Sequence, residues 1–194
     1  MKPYSVVLLA LLVAVPAEAQ SDTTFNVVVG ARLRVRNERG SVVIDTWARD
    51  QIRVEAEYER RGGITITDSR TTVRIEAQSR RGPAEVEMNI TIPRWMAVEV
   101  AGTFADIEVR DVDNDVSIEV THGDVTIDDV GGDASVQATN GDITVRRVGG
   151  RVDLSSINGE IEVEEVTGDL DAETLNGDVA LRGERHWHRS AGRR

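Results

Sequence analysis

Apolar residues recur along the chain in short alternating bursts, not at helical spacing. Phe25 to Val29, Leu33 to Val35, Val42 to Ile44, Ile52 to Ala56, Ile64 to Ile66, Thr72 to Ala77 and Val86 to Ile92 alternate or are β-branched, with turns bearing Gly, Asp or Arg between them. Such runs predict strands, since side chains two apart share one face of an extended chain. No segment has a convincing helical period.

From Met96 onward the pattern becomes a repeat. Gly123, Gly132, Gly141, Gly150, Gly159, Gly168 and Gly177 fall nine residues apart without an insertion. The units read GDVTIDDVG, GDASVQATN, GDITVRRVG, GRVDLSSIN, GEIEVEEVT, GDLDAETLN and the start of GDVALRGER, with degenerate copies upstream in NDVSIEVTH, ADIEVRDVD and MAVEVAGTF. Alternate units resemble each other more than neighbours do. Asn140, Asn158 and Asn176 stand 18 residues apart, with His122 in the equivalent earlier place, so the structural period is 18. Third, fifth and, less strictly, eighth positions are apolar, as in Val125, Ile127, Val130 and in Val152, Leu154, Ile157. The eighth has the wrong parity for a straight strand, so the chain must bend between the fifth and eighth positions to keep that residue inside.

Regular bends around a shared interior predict an all-β parallel β-solenoid with about 18 residues per turn, two nine-residue sides to each turn. The rival is an antiparallel meander, because Asn-Gly between alternating strands is a strong hairpin signal. The parity break and the recurrence of like residues at 18 favour the parallel stack. There the three asparagines form a ladder of about 4.8 Å spacing, each expected to tolerate a left-handed backbone before its glycine. A left-handed hexapeptide helix fits less well, since 18 divides here into two similar nines.

The first 19 residues carry one positive charge at Lys2, an apolar run from Ser5 to Val15 and the small-x-small pattern Ala17-Glu18-Ala19. That pattern predicts a cleaved export signal and not a membrane anchor, since the run is too short for a spanning helix. The expected organisation is a signal peptide over 1–19, a less regular β region and cap over 20–95, the nonapeptide solenoid over 96–181, and a basic tail over 182–194. Phe25, Trp47, Tyr58, Trp95 and Phe104 are expected to close the N-terminal end of the stack, whose edge strands need a cap.

Charge is segregated. Residues 20–95 hold 13 Arg against 11 acids, residues 96–181 hold 4 Arg against 21 acids, and residues 182–194 hold five Arg against one Glu. The acidic array disfavours nucleic acid as a partner and suits cationic envelope components or an Arg-rich partner. Arg185, Arg189, Arg193 and Arg194 of the tail offer a self-partner, by folding back or by reaching a second molecule. The chain has no cysteine, which excludes disulfides, thiolate metal sites and a thiol nucleophile.

Candidate chemistry is sparse. Asp124, Asp142, Glu160 and Asp178 form a carboxylate row suggesting a divalent cation, but the unit lacks the glycine and Asp of the calcium-binding nonapeptide, so turn acids are the expected reading. Asp133, Arg151 and Asp169 are expected to form a surface ion-pair ladder. His186-Trp187-His188 has metal-ligand spacing without an acidic or cysteine partner, and reads as an exposed tail. No triad spacing and no phosphate-cradling glycine loop occurs. No cofactor or metal is expected.

Phe25-Asn26-Val27, Leu33 to Asn37, Gly40 to Ile44, Ile92-Pro93 with Met96 to Val100, and the Asn-Gly-Asp-Ile repeats together resemble the β-strand-repeat domain of bacterial envelope proteins classed as adhesin-like, a domain of unknown function. The resemblance covers essentially the whole mature chain. It implies a right-handed β-helical fold at the cell surface or in the periplasm, with a protein or envelope-glycan partner and no catalytic residues. Right-handedness is also the general preference of parallel crossovers. Two alternatives stand beside an adhesin-like module. One is a carbohydrate-active β-helix protein, although such clefts need inserted loops and aromatics, and Ala105 to Gly177 has neither. The other is a periplasmic module assembling with membrane-linked signalling partners.

Overall fold

A computed structural model describes residues 19–58, 62–79 and 85–183. The expected signal peptide, Ala19 apart, and the tail from residue 184, with His186, Trp187 and His188, lie outside the described residues. Fifteen strands and no helix are present among those described: β1 Ala19–Asn26, β2 Arg32–Trp47, β3 Gln51–Tyr58, β4 Gly62–Asp68, β5 Thr72–Ser79, β6 Val86–Pro93, β7 Ala97–Val112, β8 Val116–His122, β9 Val125–Val130, β10 Ala134–Asn140, β11 Ile143–Val148, β12 Val152–Asn158, β13 Ile161–Val166, β14 Leu170–Asn176 and β15 Val179–Arg182.

These strands build two ladders facing each other across a common interior. In the first, β4, β5, the first half of β2, the first half of β7, β8, β10, β12 and β14 pair in that order. In the second, the order is β1, β3, β6, the second half of β2, the second half of β7, β9, β11, β13 and β15. Because β2 and β7 run through both, all fifteen strands form one sheet. From β7 onward every pairing is parallel, which removes the meander. Val116 pairs Ala134, which pairs Val152, which pairs Leu170; Val125 pairs Ile143, which pairs Ile161, which pairs Val179.

The core is aliphatic. Ile127, Ile143, Val145, Ile161 and Val163 are fully enclosed, and stacked like residues bury each other's apolar surface at about 25 cal/mol per Å². The expected bend proves to belong to one class of unit only. In β9, β11 and β13 the eighth-position residues Val130, Val148 and Val166 are buried, and just before each the chain passes through a left-handed residue, Asp129 (φ 58°), Arg147 (φ 52°) or Glu165 (φ 55°). Asp111 does the same in β7 at φ 59°. This single inserted conformation restores the parity. In the Asn class the strands run straight: Ala138 and Ser156 at the seventh position are buried, while Ile157 is 45% and Leu175 74% exposed. The inward assignment of Ile157 is therefore corrected.

The N-terminal half is not a simple continuation. β2 lies between the layer made by β5 and β6 and the layer made by β7, although it precedes both in sequence. The chain passes that layer between Pro93 and Ala97, in a turn closed by Met96 N–H to Pro93 O at 3.1 Å. β1, β3 and β4 then close this end by antiparallel pairing. Phe25, Tyr58 and Trp95 pack against the core there. Trp95 Nε1 donates to Asp50 at 2.9 Å and Trp47 Nε1 to the Gln51 carbonyl at 2.7 Å. Phe104 is half exposed and lies on the outer corner of the ladder, not in the cap.

Candidate functional site

An exact register turns the outer surface into rows of equivalent residues about 4.8 Å apart. Four rows carry the polar chemistry: three run along the two corners and one along a face.

The first corner holds the Asn-class turns. Asn158 Nδ2 donates to Asn140 Oδ1, and Asn176 Nδ2 to Asn158 Oδ1, each at 2.9 Å. Asn140 meets the His122 ring at 3.2 Å, His122 stacks on Phe104 with centroids 4.6 Å apart, and the Arg39 guanidinium covers the other face of Phe104 at 5.5 Å. The row is thus continuous from Arg39 to Asn176. The asparagines do not adopt the expected left-handed backbone, since a straight strand delivers each amide onto the one below; the left-handed residues are those of the opposite class.

The glycines serve two different needs. Gly123, Gly141, Gly159 and Gly177 have φ between 137° and 157°. Gly132, Gly150 and Gly168 have no such φ, but each lies against the backbone of the coil before it. At Gly150 an added Cβ would stand 2.4 Å from the Gly132 carbonyl oxygen.

Acids after these glycines bind backbone. Asp106, Asp124 and Asp142 each accept the N–H of the acid one coil later, Asp124, Asp142 and Glu160, at 2.8–3.0 Å. A carboxylate accepting a backbone N–H is a charge-assisted bond, so these groups are partly committed to structure. The same device occurs on the other corner, where Asp115 accepts from Asp133 N–H and Asp133 from Arg151 N–H at 3.0 and 2.8 Å. The expected ion-pair ladder through Asp133, Arg151 and Asp169 is therefore corrected: the Arg151 guanidinium forms no ion pair among the described residues.

A charge ladder exists elsewhere, on the face of the second ladder. Asp45, Arg110, Asp128, Arg146, Glu164 and Arg182 stand in one row with alternating sign. Arg110 meets Asp45 at 3.3 Å, Arg146 meets Glu164 at 3.3 Å, and Arg182 meets Glu164 at 3.3 Å. Arg110 also pairs with Glu108, and Asp128 with Arg147. The sequence signal for this row was the sixth position of alternate units, obscured because Asp45 belongs to a strand with no nonapeptide spacing. At the capped end, Arg53 binds Asp22 through two bonds of 3.1 and 2.8 Å, and this hydrogen bonding holds the Asp22 carboxyl below its ordinary pKa.

No group of three or more His, Asp or Glu suited to a metal ion occurs among the described residues. No helix among them is long and apolar enough to cross a membrane.

The profile of the Toastrack DUF4097 family matches residues 30–190, and the chain belongs to that family. Among solved structures it is similar to a candidate cell adhesion protein from Clostridium sporogenes, with 12% identity and a TM-score of 0.58 over 86% of this chain and 99% of that one. It is also similar to a candidate adhesin from Bacteroides fragilis, with 13% identity and a TM-score of 0.40 over 86% and 98% of the two chains. At such identities the first likeness shows the fold alone. No curated protein matches the chain. The family resemblance drawn from the sequence and the match agree on an adhesin-like domain of unknown function.

Proposed function

We propose that this chain is an exported, non-enzymatic β-solenoid of the bacterial cell envelope, wound right-handed at about 18 residues per turn, that serves as a structural or interaction module. Residues 20–95 act as its cap and first layers, and 96–181 as its regular array. The observation that carries the reading is the use made of the two sides of each strand. Inward positions are filled by aliphatic side chains, and polar positions present stacked carboxylates: the corner row Asp106, Asp124, Asp142, Glu160 and Asp178 is acidic throughout, and Asp153 lies beside Asp171 on the first ladder. Repeated charge at fixed spacing suits a polyvalent cationic partner, because many weak contacts add along a rigid template. Export rests on the Lys2 to Ala19 leader, and the surface setting on the adhesin-like names of the relatives.

The basic residues 185–194 provide one such partner within the chain or in a second copy. The test is titration of the full mature chain with a decalysine peptide at low and at physiological salt, alongside cell fractionation of the chain with its leader. Salt-sensitive binding together with recovery outside the cytoplasm is expected. Retention in the cytoplasm, or binding indifferent to salt, overturns the reading. Light scattering of the chain with and without residues 184–194 reports whether the tail joins two molecules.

A further inference from the structure

One stretch of the surface sets two arginines side by side. On the outer face of the first ladder, β2 and β5 pair in parallel so that Arg34 lies directly beside Arg74, and Arg36 beside Glu76. Across the other edge of β2, Arg34 faces Glu99 and Arg36 faces Ala101. Like charges directly opposite in a sheet are destabilising, and on the face of the second ladder Arg110 and Arg146 stand instead between acids. Here Arg34 turns to Glu99, with Nε donating at 2.8 Å. Arg36 and Arg74 form no ion pair among the described residues, and neither does Arg32, two residues before Arg34 on the same face.

The small side chain of Ala101 leaves a groove of about 160 Å³ between these side chains, walled by Arg34, Arg36, Arg74, Glu76 and Glu99 over a floor at Val35. A second hollow of about 140 Å³ continues past Arg32. Arg36 and Arg74 are exposed, whereas Val35 beneath them is buried, so the guanidinium groups stand over a closed sheet and face outward. Glu76 stands beside Arg36 in the register without pairing to it, and Glu99 is occupied by Arg34. The groove thus concentrates donors in a molecule whose net charge is −11.

We infer that this groove binds a phosphate group, as a phosphomonoester or diphosphate. A carboxylate accepts through two oxygens in one plane. A phosphate offers oxygens in several directions and can accept from Arg36 and Arg74 on neighbouring strands at once, with the free edge of Arg34 completing the set. Bound there, it supplies the negative charge that the Arg34–Arg74 register lacks. The phosphate can belong to a soluble ester or to a lipid headgroup, and the groove is open enough to take either. This site is independent of the acidic array proposed above as the polycation-binding surface.

The test uses the mature chain with inorganic pyrophosphate in equilibrium dialysis, and cosedimentation with phosphatidylcholine vesicles containing or lacking phosphatidic acid. Pyrophosphate is expected to bind and to raise the thermal midpoint, with at least a tenfold loss of affinity in Arg36→Gln/Arg74→Gln and no loss in Arg151→Gln, an exposed arginine outside the groove. Arg74→Lys, which keeps the charge and loses the fork, is the second variant; it is expected to fold as the parent does and to bind more weakly. The ligand-free Arg74→Gln protein should melt no lower than the parent at low salt, because a like-charge neighbour has been removed. Vesicle binding that follows the same variants assigns the phosphate to a lipid headgroup, and pyrophosphate binding without it assigns a soluble ester. Absence of both, or equal loss in Arg151→Gln, overturns the inference.

Discussion

Asn158 accepts one side-chain hydrogen bond and donates another along its row, to Asn140 Oδ1 at 2.9 Å and from Asn176 Nδ2 at 2.9 Å. It is an interior rung, whereas Asn176 only donates. Substituting Asn158 by Ala therefore removes both rungs, together with a longer bond from Nδ2 to the Thr139 carbonyl at 3.4 Å, and substituting Asn176 removes one rung, at a net cost of about 1 kcal/mol per rung. Denaturant melts should rank Asn158→Ala as the more damaging. The reverse order would mean that the amides are held by water and not by each other.

The glycines at the two corners should both refuse a side chain, for different reasons. In Gly141→Ala the new Cβ would lie 2.0 Å from the Gly123 carbonyl oxygen at a φ of 143°, so steric clash and backbone strain combine. Gly150→Ala meets only the clash, at 2.4 Å from the Gly132 oxygen. Strained backbone of this kind costs on the order of 1–3 kcal/mol. Gly141→Ala should be the worse of the two by about that amount in thermal unfolding. A Gly141→Ala protein as stable as the parent would remove the turn geometry from the account of the repeat.

Ser156 is 3% exposed, and its hydroxyl has no hydrogen-bond partner among the described residues. It occupies the seventh position of its unit, in the row of Val120 and Ala138. A buried unsatisfied hydroxyl costs about 1–3 kcal/mol, so Ser156→Ala should stabilise the fold, by about 1 kcal/mol. Ser156→Val, restoring the residue type of Val120, tests whether this corner can take more volume. Destabilisation by Ser156→Ala would indicate that the hydroxyl holds a partner of its own, such as a bound water.

The repeat was legible because each nonapeptide reports its own geometry. Glycine spacing and third- and fifth-position aliphatics such as Ile143 and Val145 are set by local turn sterics and burial, and both lie within one unit. The bend was legible as a parity break, but its assignment to every unit was not. The apolar character of Ile157 and Leu175 mimics that of Val148, and only the straight backbone of the Asn class turns them outward. Placement of β2 between two later layers was hidden for another reason. It depends on which of several similar aliphatic edges meets β7, a non-local choice that leaves no mark on Leu33 or Val42 themselves. The charge row through Asp45 and the Arg34–Arg74 juxtaposition follow from that choice, so neither could be read before it.

Asp22 ties β1 to β3 through Arg53, and the Arg53 hydrogen bond lowers its pKa from the ordinary 3.8. A group with a depressed folded-state value stabilises the fold fully above its unfolded value and ceases to do so as pH falls through the folded value. The hold of β1 on β3 should accordingly weaken only below about pH 4, with amides of residues 19–26 losing exchange protection ahead of β9 and β11. Arg53→Gln should abolish that pH dependence. Protection of β1 that falls identically in parent and variant would place the titrating group elsewhere.

Arg146 stands between Asp128 and Glu164 in the alternating row, paired with Glu164 at 3.3 Å. Arg146→Glu places three carboxylates in succession about 4.8 Å apart, and like charges opposite each other in a sheet cost roughly 0.2–1 kcal/mol per pair. Loss of the favourable pair adds a similar amount, discounted because the Arg146 side chain is 43% exposed and such pairs are worth at most about 1 kcal/mol. At low salt the variant should therefore be about 1–2 kcal/mol less stable than the parent. Counter-ions screen exposed charges beyond about 3 Å at 1 M salt, so most of the deficit should vanish there. Arg146→Gln separates charge from shape, since it keeps length and hydrogen bonding and should show half the deficit or less. Melts of the three proteins at 50 mM and at 1 M salt decide the matter. A deficit that stays the same at both salt levels would show that Arg146 works through the packing of its aliphatic stem over the sheet, not through its place in the charge row.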